Sequence, residues 1–112
     1  MGWAAFENGK TVGARGSEDG VIVVDEEHDL AARITLERDG SVAPFAITCG
    51  IYGWTFHTRF FSTRETAARD LEEMKDAIGA ILSKIPRTDD PALEQKRREV
   101  TEAISAFVAR FP

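Results

Sequence analysis

Near residue 62 the apolar residues of this chain stop recurring at every second position and begin recurring at every third or fourth. Upstream, apolar and polar side chains alternate through Ala32–Leu36, Phe45–Cys49 and Trp54–Phe60, which is the period of strands with one buried face. Downstream, Ala67, Leu71, Met74, Ile78, Ile81, Leu82 and Ile85 keep helical spacing until Pro86. A second stripe follows in Leu93, Val100, Ile104, Phe107, Val108 and Phe111. Strands followed by helices, without alternation of the two, specify the α+β class. The expected architecture is an antiparallel β-meander of five to six strands over residues 1–61, followed by a C-terminal antiparallel helix pair, 62–85 and 91–111, packed on one sheet face. All 112 residues then form a single domain.

Local signals supply the boundaries. Asn8-Gly9 and Asp39-Gly40 are type I′ turn dipeptides, because both residues of each tolerate positive φ. The first predicts an N-terminal hairpin of Gly2–Glu7 with Lys10–Arg15. The second predicts pairing of Arg38 with Ser41, Leu36 with Ala43, Ile34 with Phe45 and Ala32 with Ile47. Val21–Val24 reads as a short strand left through the acidic turn Asp25-Glu26-Glu27-His28-Asp29. Ser62 and Glu65 have capping-box spacing for the first helix. Asp90 and Pro91 are suited to N-cap and N1 of the second.

Strand parity decides which side chains share a face. A loop at Gly50–Gly53, or a two-residue turn at Tyr52-Gly53, puts Trp54, Phe56 and Phe60 beside Phe45, Ile47 and Cys49. The expected core face is then Ala32, Ile34, Leu36, Ala43, Phe45, Ile47, Cys49, Trp54, Phe56 and Phe60. A three-residue connection reverses the assignment, since a slip of one residue turns every side chain over. Pro44 cannot donate to a ladder and predicts a bulge or an edge position.

Composition narrows the function classes. The net charge of -5 gives no electrostatic pull toward a phosphate backbone, so nucleic acid is not an expected partner. Lys96-Arg97-Arg98 is interspersed with Glu94, Glu99 and Glu102 and reads as a solvated helical face. No apolar run approaches a membrane span, and the N-terminal residues lack a leader pattern. A single cysteine forms no internal disulfide, which points to the cytoplasm.

The candidates for chemistry are few. Asp25–Asp29 is rich in oxygen and nitrogen donors, but consecutive residues do not converge on one ion, so no metal is expected. Gly50-Ile51-Tyr52-Gly53 joins strand to strand and opens no helix, unlike a phosphate loop. No cofactor is expected. Cys49 and His57 form a nucleophile–base pair only in the reversed register, so no catalytic residue is assigned. Thr48, Thr55, His57 and Arg59 are the candidate ligand- or partner-binding residues, projecting together from the polar sheet face. His57 and Arg59, two apart on a strand, then point the same way at a spacing of about 7 Å.

No known family is legible in these motifs. The leading expectation is a non-catalytic protein-interaction or adaptor-type domain, homodimeric or bound to another protein, because a sheet with one helix pair leaves apolar surface over. The alternative is a small-ligand-binding protein or minor enzyme, with His57 as acid/base and Arg59 as anion clamp.

Overall fold

A computed structural model describes residues 2–112. The alternating segments become a five-stranded antiparallel sheet, in which each strand lies beside its neighbours in the chain. The strands are β1 (Trp3–Ala5), β2 (Val21–His28), β3 (Ala32–Arg38), β4 (Phe45–Ile51) and β5 (Thr55–Phe61). Helices α1 (Arg64–Leu82) and α2 (Leu93–Arg110) follow. Both pack on one side of the sheet, giving the α+β meander and helix pair that the change of period implies. No helix among the described residues is long and apolar enough to cross a membrane.

The core lies between β3, β4 and the helices. Ala32, Ile34, Leu36, Ile47, Cys49 and Ile51 meet Leu71, Met74, Ile78 and Ile81 of α1, with Val100, Phe107 and Phe111 closing the far side. Burial of each large member contributes roughly 2 kcal/mol. α1 starts at Thr63, one residue later than expected, with the Thr63 hydroxyl accepting from the Thr66 amide. It ends at Leu82, with Ser83 as its C-cap. Asp90 accepts from the Ala92 amide in the turn ahead of α2.

Four local expectations are corrected. First, the Asn8-Gly9 hairpin does not form. Glu7 and Asn8 both adopt left-handed φ inside a 3-10 turn at Phe6–Gly9, and the chain turns across the sheet. β1 pairs instead with the end of β2, Trp3 opposite His28. Gly13, Ala14 and Arg15 bond to the start of β2. Second, most of the acidic run, Asp25–His28, is not a turn but the second half of β2, so its side chains alternate between faces, and only Asp29 falls in the turn. Asp25 is bound by Thr11 and Arg33, Glu26 by Lys75 and Glu27 by Tyr52.

Third, β3 meets β4 through a six-residue connection, Asp39–Pro44, and not through a two-residue turn at Asp39-Gly40. Ile34 therefore faces Cys49 and Leu36 faces Ile47, a shift of four residues that preserves parity. Pro44 falls in the connection, where no ladder amide is needed. The fourth correction concerns β5 and has the largest consequence. Ile51 pairs with Thr55 across the three-residue connection Tyr52-Gly53-Trp54. That odd number turns β5 over. Phe56 and Phe60, expected in the core, stand on the helix-free face at 79% and 42% exposure. His57, Arg59 and Phe61 turn toward the helices.

Candidate functional site

The reversal of β5 disperses the residues that parity was expected to gather. Thr48 remains on the helix-free face, where its hydroxyl shares a hydrogen bond with that of Thr58 at 3.1 Å. Thr55, His57 and Arg59 take the other face. Arg59 meets the buried Asp70 of α1 at 2.8 Å, and its guanidinium lies 5.1 Å from the Phe61 ring centroid. The His57 ring donates through Nε2 to the main-chain oxygen of Phe111 and stands edge-on to Phe107. Both side chains thus tie β5 to α1 and to the end of α2. The expected paired presentation of His57 and Arg59 on an open face is not formed.

Cys49 lies directly opposite His57 in register, the arrangement a nucleophile–base pair would require. Its environment opposes that chemistry. The thiol is only 3% exposed, and burial pushes it up to about 12 from 9.0. A thiol so disposed is neutral and sealed at ordinary pH, and it packs as a small apolar group. Among the described residues, no group of three or more His, Cys, Asp or Glu side chains is arranged to hold a metal ion.

The helix-free face carries a feature that strand parity does not signal. Here Arg33, Thr35 and Glu37 of β3 lie beside Gly50 and Thr48 of β4 and Phe56 of β5. Across them runs the segment from Thr11 to Gly20, and between segment and sheet is a cleft of about 410 Å³. Ile22 and Thr35 line it together with Arg15, Gly16 and Ser17 from the crossing segment. Phe56 forms another wall. Its ring lies so close over Gly50 that a Cβ at position 50 would fall 2.8 Å from the ring.

Two charged groups hold the cleft in shape. Glu37 is 1% exposed, and its carboxylate accepts from the amides of Glu18 (3.1 Å) and Gly20 (3.0 Å). The crossing segment is thereby latched to β3. Gly16 must lack a side chain there, since a Cβ would lie 2.2 Å from the Glu37 carboxyl carbon. Arg33 donates through Nε and Nη2 to the buried Asp25 at 2.9 and 2.6 Å, while Phe6 covers its guanidinium at 3.8 Å. The bond to Asp25 raises the Arg33 pKa further, so the cation persists throughout. At the same end, Tyr52 donates to Glu27, and burial with that bond lifts its phenol to about 12.

The two sheet edges are unlike. The outer side of β2 is occupied twice, by β1 along Glu26–His28 and by Gly13–Arg15 at Val21–Ile22. β5, by contrast, has no strand on its outer side among the described residues. It is seven residues long, contains neither Pro nor Lys, and presents Phe56 and Phe60 beside its open backbone. Edges of soluble sheets are ordinarily shortened, bulged or charged against pairing. A comparison with protein-family models, with curated proteins and with solved structures finds no match to this chain in any of the three.

Proposed function

We propose that this chain is a non-catalytic protein-interaction domain that self-associates through β5. The supporting observation is the combination on one strand of an open edge with two exposed phenylalanines. An edge strand offers unpaired main-chain donors and acceptors to another strand, and pockets or rows of side chains then choose the partner.

The sequence of β5 suits a second copy of itself. In an antiparallel pairing centred on Thr58, Phe56 of each protomer opposes Phe60 of the other, and Thr58 opposes Thr58. Two aromatic pairs and a threonine pair then lie on the helix-free face, all favourable cross-strand combinations. The contact is isologous, so it closes at two protomers, with the three-residue β1 at each outer end of the joined sheet. A continuous ten-stranded sheet results, with a helix pair from each protomer on the opposite face.

Light scattering coupled to size exclusion, from about 1 to 500 μM, tests the reading. The expected result is a monomer–dimer equilibrium that the Phe56→Lys/Phe60→Lys double variant abolishes while retaining its circular dichroism. A constant monomer mass across the range would overturn self-association, and a dimer that survives both lysines would overturn the assignment to β5.

A further inference from the structure

We propose that the cleft on the helix-free face binds a small aromatic carboxylate, with the ring against Phe56 and Gly50 and the carboxylate at Arg33. The proposal goes beyond self-association and concerns a different surface, although Phe56 borders both.

The size is that of a ligand pocket: about 410 Å³ lies within the range over which proteins enclose small molecules. The cleft is also built rather than incidental. The Glu37 latch uses a buried carboxylate to fix Glu18–Gly20 to β3, and the cleft lies between this anchored segment and Thr35 and Thr48. Pre-formed walls spare a ligand the ordering cost that weakens binding to mobile sites.

Chemistry selects the class of occupant. The body of the cleft is apolar or uncharged: Ile22, the Phe56 ring, Gly50 and the threonines Thr35 and Thr48. The Thr35 hydroxyl is already engaged with the Thr48 main-chain oxygen, so the floor offers a flat molecule little polar competition. Phe56 is 79% exposed, and a planar ring stacked on it would cover aromatic surface that otherwise faces water.

Two cations, Arg33 and Arg15, line the cleft; Arg15 is paired with Asp19 at 3.0 Å, which leaves Arg33 as the cation that faces a ligand. Glu37 is covered by amide donors, and Asp25 is neutralised by Arg33 itself. Asp25 and Phe6 orient the Arg33 guanidinium through Nε, Nη2 and one ring face, and Nη1 makes no hydrogen bond among the described residues. An oriented cation with a spare donor suits a carboxylate, which accepts charge-assisted hydrogen bonds.

The test uses the whole chain, 1-naphthaleneacetate as probe and its uncharged isostere 1-naphthaleneacetamide, followed by amide chemical shifts. The expected result is saturable movement of Ser17, Thr35 and Gly50, with the amide probe at least about tenfold weaker. Phe56→Ala, at an exposed position that should not disturb folding, should weaken the acid about tenfold or more. Asp25→Asn/Arg33→Met, made together so that no buried carboxylate is stranded, should remove the preference for acid over amide. Phe60→Lys lies outside the cleft lining but weakens the proposed dimer, which covers Phe56, so it should retain or strengthen binding of the acid. Loss of binding in this variant would overturn the inference, whereas loss of the dimer alone would not. Equal affinity for both probes would overturn the carboxylate assignment. Absence of saturable shifts up to about 10 mM, or shifts confined to β5, would overturn the site.

Discussion

Cys49 lies at 3% exposure within β4, and burial displaces its ionisation from 9.0 to about 12. Below pH 9 the thiol is protonated in the folded and unfolded chain alike, so its contribution to stability is fully present. As pH rises from 9 toward 12, the unfolded chain releases the proton while the folded chain retains it, and stability falls. Urea unfolding from pH 8 to 10.5 should therefore show wild type losing up to about 1.4 kcal/mol per pH unit relative to Cys49→Ala above pH 9. Parallel curves for the two proteins would show that Cys49 ionises alike in both states. Other residues were unreadable from sequence for equally local reasons. Asp29 and Leu30 form the β2–β3 turn with φ of 47° and 60°, although leucine carries none of the side-chain chemistry that favours this conformation. Glu37 alternated correctly onto the helix-free face, yet nothing in its spacing announced that backbone amides eighteen or so positions earlier would close over it.

The same contrast holds for whole elements. α1 was legible because Leu71, Met74, Ile78 and Ile81 repeat over several turns, so an error of one residue at its cap changes nothing inside. β3 and β4 were legible as a pair because their misjudged connection still preserved parity. β5 was not. Its two faces read Phe56, Thr58, Phe60 against His57, Arg59, Phe61, so hydrophobicity favours burying the first set, and the odd length of the preceding loop overrides that preference. The candidate residues Thr55, His57 and Arg59 moved with it, and of the expected set only Thr48 borders the cleft. The crossing segment from Thr11 to Gly20 has no regular period; its first half is tied to β2, and its second half is ordered by the carboxylate of Glu37. Glu37→Gln should cost about 1–2 kcal/mol by replacing charge-assisted acceptance with a weaker amide contact. Hydrogen exchange should quicken first at Glu18 and Gly20. Uniform acceleration over all strands, or no acceleration at that turn, would count against Glu37 as the latch.

For the molecule as a whole, the sheet has one face under helices, one face with a cleft, one edge ending in the short β1 and one ending in the seven-residue β5. Pairing at the β5 edge would couple folding to association, because a native dimer is favoured by mass action over two unfolded chains. The melting temperature of wild type should rise by several degrees between about 5 and 500 μM, whereas that of Phe56→Lys/Phe60→Lys should not move. A concentration-independent melt for both would remove the expected link between stability and assembly. Salt should have little effect on the wild-type midpoint, since the proposed contact joins aromatic and threonine side chains with no ion pair among them on that face.

The loop Tyr52-Gly53-Trp54 has a bearing on how this chain can be altered. Losing or gaining one codon there would exchange the inventory of the outermost strand, sending two benzyl groups inward and evicting an imidazole and a guanidinium from their anchors. Both versions are chemically plausible as strands, so composition would not flag the difference. Among near relatives of this sequence, the spacing of that hairpin, more than the identity of any residue in it, would tell which surface is on show.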